Sequence, residues 1–169
     1  MKKILLLFIV LVIVGCKPEE KIGFTYIDDF NWNVLDSLQY QKKPLSYIFD
    51  SNLPHVLYIS NNECAECIYK FIKFNDAISN IDENIRYFYI ITGCDNITFS
   101  YYLKENNVII KDNAYLIMDS LDIFYQNMSK YLGDQIFVLK ENKEVIQLLS
   151  TPIKNEETLK RFQELIKQK

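Results

Sequence analysis

Pro54-His55-Val56-Leu57-Tyr58-Ile59-Ser60-Asn61-Asn62-Glu63-Cys64-Ala65-Glu66-Cys67 joins two patterns of different period. His55 to Ser60 is short, continuous and rich in β-branched and aromatic residues, as a strand buried on both faces must be. From Ala65 the spacing changes: Cys67, Ile68, Phe71, Ile72 and Phe74 recur on one helical face to about Ile78. A buried strand therefore runs through Asn61-Asn62-Glu63 into a helix, and Cys64-Ala65-Glu66-Cys67 sits at the junction.

Outward from that junction the alternation continues. Arg86 to Ile91 reads as a second buried strand, followed by the loop Thr92-Gly93-Cys94-Asp95, and a weaker helix is expected over Ile97 to Asn106. Ala114 to Met118 reads as a strand. Ile136 to Lys140 and Glu144 to Leu149 flank Glu141-Asn142-Lys143 as a hairpin, and Asn155 to Gln168 closes the chain as an amphipathic helix with Leu159, Phe162, Leu165 and Ile166 on one face. Strand–helix alternation followed by a hairpin and a helix implies an α/β fold: a mixed central sheet with helices on both faces, ending in an antiparallel hairpin plus helix. Residues 22–53, with the alternating Phe30, Trp32 and Val34, are expected to be an N-terminal extension packing on that sheet, and residues 54–169 the domain proper.

Composition limits the chemistry. With 49% hydrophobic and 24% charged residues the chain can bury a core, and 169 residues without repeat or linker make one domain. A formal charge of −3 with no basic cluster excludes nucleic acid as the expected partner. The single His leaves any metal site or triad dependent on His55. His55 starts the strand whose far end carries the cysteine pair, about 16 Å away at strand rise. No metal and no cofactor are expected, and His55 falls outside the chemistry.

The cysteines remain. At a helix start the free N–H groups and the positive end of the helix dipole favour a thiolate on Cys64, and Cys67, one turn deeper, is within reach to form a disulfide with it. Such a pair suits thiol–disulfide exchange, Cys64 attacking a partner disulfide and Cys67 displacing the partner from the mixed disulfide. A structural disulfide at the same place, or a domain that binds a partner without catalysis, fits the same residues. Glu63 and Glu66 flank Cys64 and oppose its ionisation, which predicts a less acidic thiol and a more reducing couple than in strong oxidants. Cys94 follows the second strand and so falls at the same sheet edge, either as a third redox thiol or as a small residue buried in a loop. Aromatic stretches at Phe99 to Tyr102 and Tyr115 to Tyr131 are either core or a partner-binding face.

The N-terminus carries its own signal. Lys2 and Lys3 precede the apolar run Ile4 to Val14, too short to span a bilayer and suited to the core of a signal peptide. Ile13-Val14-Gly15-Cys16 resembles a bacterial lipobox, which implies cleavage after residue 15, acylation of Cys16, and a membrane anchor. Residues 16–21 are then the lipidated Cys and a short tether. That leaves 154 of the 169 residues and 17 of the 19 basic side chains against 22 acidic ones. So acidic a body is held at the membrane by acyl chains and not by anionic lipid. Lys17-Pro18-Glu19-Glu20-Lys21 resembles the surface-export signal of Bacteroidetes lipoproteins.

From Pro54 to the C-terminus the chain resembles thioredoxin-like lipoproteins of Bacteroidetes, related to TlpA-type membrane-tethered thiol–disulfide oxidoreductases. The motif region His55 to Cys67, the segment from Asn127 through Asp134 to Val145, and Thr151-Pro152-Ile153 carry the resemblance. It implies a thioredoxin-like fold, Cys64 as nucleophile and Cys67 as resolving cysteine. It also implies protein thiols and disulfides of the cell envelope as partners, at a periplasmic, outer-membrane or surface location. Active thioredoxins place a cis-proline before the hairpin to hold an extended substrate. Here that place falls at Asp134-Gln135, without a proline, so the docking loop departs from the pattern. The Pro and Thr that precede a peroxidatic cysteine are also missing.

Overall fold

The structure is a computed structural model that describes residues 24–49, 53–61, 65–81, 84–127, 135–140, 144–148 and 156–167. Its strands are β1 (Phe24–Tyr26), β2 (Gln39–Tyr40), β3 (Lys43–Pro44), β4 (His55–Asn61), β5 (Arg86–Thr92), β6 (Ala114–Asp119), β7 (Gln135–Leu139) and β8 (Val145–Leu148). The helices are α1 (Asn33–Ser37), α2 (Ala65–Ile78), α3 (Asn96–Glu105), α4 (Ile123–Asn127) and α5 (Glu156–Lys167), with a 3₁₀ turn at Leu45–Ile48. The main sheet runs β1-β8-β7-β4-β5-β6, while β2 and β3 pair separately. β4, β5 and β6 are parallel, with Tyr58 beside Tyr89 and Tyr89 beside Leu116. β7 returns antiparallel to β4, and β8 and β1 follow antiparallel.

The continuous apolar runs of β4 and β5 fit their central positions. Neighbours pair both edges and helices or loops cover both faces, so Val56 to Ile59 and Tyr87 to Ile91 are all buried. Alternate residues feed two cores. Val56, Tyr58, Tyr87, Tyr89 and Ile91 meet Phe71 and Phe74 of α2, Phe99 of α3 and Phe162 of α5 on one face. Leu57, Ile59, Phe88 and Ile90 meet Phe30, Val34, Leu35, Leu38, Leu45 and Phe124 on the other.

The order β4, β5, β6 steps one way across the sheet. Right-handed crossovers in one direction put their helices on the same face, and α2 and α3 do share it, Phe71 and Phe99 lying 5.3 Å apart between ring centres. The second face is left to the short α1 and α4 and the segments around them. The alternation of Phe30, Trp32 and Val34 does not make a strand: Val34 lies in α1, Phe30 and Val34 are buried, and Trp32 packs edge-on against Phe30 at 5.1 Å. Arg86 Nη1 donates to the Ile48 carbonyl at 2.7 Å, tying this segment to the start of β5. Of the aromatic stretches, Phe99 and Phe124 are core while Tyr101 is exposed, and residues 128–131 lie outside the described residues. Among the described residues no helix is long and apolar enough to cross a membrane.

Candidate active site

The C-terminal ends of β4, β5 and β6 form one edge of the sheet, and antiparallel β7 starts there, Gln135 standing beside Ile59. α2 leaves this edge with Cys67 in its first turn. The helix is fixed from below by stacked rings. Tyr58 and Phe74 lie 4.6 Å apart, and Phe71 meets Tyr89 edge-on at 4.9 Å. Asn75, buried in the same helix, accepts from the Tyr89 hydroxyl at 3.2 Å and donates to the Ile109 carbonyl at 3.0 Å, so both ends of its amide are used.

Cys67 is half-buried and disulfide-bonded. Cys94 carries a free thiol, so the sulfur bonded to Cys67 lies outside the described residues, as do Cys64 and Cys16 themselves. Glu66, expected to oppose ionisation of the pair, faces Lys70 one turn on at 3.3 Å. Both side chains are exposed, so the pair adds little to stability, but it offsets part of the negative charge beside the cysteines. Glu63 lies outside the described residues.

The loop after β5 is short and tightly built. Thr92 Oγ1 donates to the Ser60 carbonyl at 3.4 Å, and Gly93 takes φ 66°, a conformation glycine adopts without a Cβ clash. Cys94 follows, half-buried and packed against the first core. Burial pushes its thiol pKa up, the neighbouring Asp95 charge adds to this, and a hydrogen bond with the Phe99 backbone works against it. Asp95 caps α3: its carboxylate accepts from the Thr98 N–H at 2.9 Å and the Thr98 hydroxyl at 2.7 Å, which lowers its pKa.

Three residues at this edge escaped the sequence reading. Asp119 ends β6 almost fully buried, and its two oxygens accept from the N–H groups of Ile123 and Phe124 at 2.8 Å each. Burial raises its pKa against the lowering effect of those two bonds. Asp122, at φ 52°, accepts from the Gly93 N–H at 3.3 Å and so joins the loop after β6 to the loop after β5. Leu121 stands between them, 70% exposed. The sequence signal was an Asp at the end of an apolar strand four residues before a hydrophobic pair, the pattern of a helix-capping carboxylate.

Of Asp134-Gln135, expected from the sequence to form the docking loop, Gln135 falls within the described residues. Gln135 opens β7 and its side-chain carbonyl accepts from the Gln147 amide, while Asp134 lies outside the described residues. His55 is buried at the opposite end of β4, against the rings of Phe49 and Phe88. Among the described residues no group of three or more His, Cys, Asp or Glu side chains could hold a metal ion.

No protein-family model matches the chain, and no curated protein does. Solved structures do. A secreted disulfide oxidoreductase of Mycobacterium tuberculosis, homologous to E. coli DsbE, superposes with a TM-score of 0.52 at 11% identity over 68% of this chain and 82% of that one. The thioredoxin domain of a thiol–disulfide oxidoreductase from Bacteroides vulgatus gives 0.52 at 7% identity over 69% and 81%. A thioredoxin-like protein from Parabacteroides distasonis gives 0.51 at 12% identity over 71% and 84%. The fold of this chain is thioredoxin-like.

Proposed function

We propose that this chain is a lipid-anchored thiol–disulfide oxidoreductase of the bacterial cell envelope, with Cys64 as nucleophile and Cys67 as resolving cysteine. The observation that carries the reading is the disulfide at Cys67, in the first turn of the helix that follows the central strand of a thioredoxin-like fold. Cys64, three residues earlier, is the partner sulfur in this reading. In the reduced state the Cys64 thiolate attacks one sulfur of a protein disulfide, forming a mixed disulfide and expelling the other sulfur as a thiolate that takes a proton from solvent. Cys67, losing its proton, then attacks the Cys64 sulfur, releases the second partner thiol and closes the pair. Two electrons pass to the partner, and no cofactor is needed. Cys16 would hold the domain at the membrane through its acyl chains, and the partners would be protein thiols and disulfides of the periplasm or cell surface.

The absence of proline at Asp134-Gln135 favours a second reading, a partner-binding module whose disulfide is structural. Insulin reduction by wild type and Cys64→Ser separates the two: activity lost in the variant supports the enzyme, and activity in neither supports the binding module. The redox potential of the pair gives an independent check, since a structural bond falls below about −300 mV.

A further inference from the structure

We infer that Ile97 and Leu121 form the docking surface for the protein partner of the Cys64–Cys67 site, and that they take a segment carrying an aliphatic and a basic residue beside its cysteine. The inference rests on the redox reading above. Ile97 is 83% exposed and Leu121 70%, and both belong to the sheet edge from which α2 departs with Cys67. Ile97 lies in the first turn of α3, three residues beyond Cys94, and Leu121 follows β6.

These side chains are not on loose segments. Leu121 is held between Asp119, which binds the N–H groups of Ile123 and Phe124, and Asp122, which takes the Gly93 N–H. Ile97 is held by the Asp95 cap at Thr98. The Asp122–Gly93 bond joins the two loops, so both apolar groups stand out from a preorganised rim, and binding there costs little ordering.

The charge around them selects the occupant. Asp95 and Asp122 flank Ile97 and Leu121, and no Lys or Arg occurs in the described stretches 65–67, 92–98 and 119–123 of this edge. Lys70, the nearest cation on α2, is taken by Glu66. A second copy of the chain would bring the same two carboxylates against themselves, whereas an aliphatic residue next to Lys or Arg covers the apolar pair and answers the charge. Docking here, on the β5–β6 side, also does without a proline at Asp134-Gln135.

The test uses the reduced full chain carrying Cys16→Ser, Cys67→Ser and Cys94→Ser, in which Cys64 is the one remaining thiol and forms a mixed disulfide that is not resolved. Three peptides with one cysteine activated as a disulfide with thionitrobenzoate carry Leu and Lys, Leu and Glu, or Ser and Lys next to that cysteine. Released thionitrobenzoate gives the rate with the peptides, and hydroxyethyl disulfide, which expels mercaptoethanol and is followed by loss of the protein thiol, serves as the small control. The Leu–Lys peptide is expected to react about tenfold faster than either other peptide. Ile97→Ser with Leu121→Ser should abolish the preference for Leu, and Asp95→Asn with Asp122→Asn, which keep acceptors for Thr98 and Gly93, should abolish the preference for Lys. The control rate should be unchanged in all of them. Equal rates for the three peptides, or preferences that survive the substitutions, overturn the inference while leaving the redox reading standing. No reaction with hydroxyethyl disulfide overturns both.

Discussion

Asn75→Leu tests whether the buried amide in α2 is what locks the helix that carries Cys67 onto the sheet. Asn75 is 2% exposed and Tyr89 fully buried, so neither can turn to water when its partner is lost. Burial pushes the Tyr89 hydroxyl far above its ordinary pKa, so it stays a protonated donor at every working pH. Leucine of similar volume removes the acceptor for that hydroxyl and the donor for the Ile109 carbonyl. The orphaned Tyr89 hydroxyl costs about 1–3 kcal/mol, whereas Ile109 is an exposed residue and its carbonyl adds little; with the apolar surface gained, the net loss is about 1–2 kcal/mol. With a urea dependence of about 1–3 kcal/mol per molar, the unfolding midpoint should drop by about 0.5–1 M with the slope unchanged. Tyr89→Phe then makes the argument refutable. In the wild type it removes one good hydrogen bond and costs about 1 kcal/mol; in the Asn75→Leu background it removes an orphan and is neutral or stabilising. Additive losses in the double variant, measured by urea titration of all four proteins, would refute the role given to this amide.

Burial raises the Asp119 pKa, so the folded chain binds that proton more tightly than the unfolded one. The stability of wild type relative to Asp119→Asn should therefore fall as pH rises from the ordinary carboxylate value of 3.8 through the raised one, then level off; urea midpoints across that range that diverge upward would contradict it. Gly93→Ala places a Cβ at φ 66° and should cost about 1–2 kcal/mol, visible as a lower melting temperature; no change would mean the loop relaxes freely. The Cys94 thiol, its pKa raised by burial and Asp95, should react with iodoacetamide at pH 8.5 more slowly than an unstructured cysteine peptide, and at the peptide's rate once the chain is unfolded in urea.

Much of the fold was legible because period is a local property. The run Val56 to Ile59 and the helical spacing from Ile68 to Phe74 define β4 and α2 wherever they are placed, and the same holds for β5, β6, the late hairpin and α5. The β2–β3 hairpin was not legible: its two-residue turn puts Gln41 at φ 50° and Lys42 at φ 68°, where the sequence offers neither Asn nor Gly to signal positive φ.

By itself, then, the sequence determined the strand–helix junction between Asn61 and Ala65, the mixed α/β class and the edge on which Cys94 falls, because each depends on residues close in the chain. Only the tertiary structure decided that Asp119 and Asp122 brace that edge and that Leu121 stands exposed between them. Only it decided, too, that residues of α1 and α4 close the second face of the sheet. Those outcomes follow from strand order and from the direction in which the crossovers step across the sheet. They bring together Gly93 and Asp122, 29 residues apart, through a hydrogen bond that no local pattern encodes.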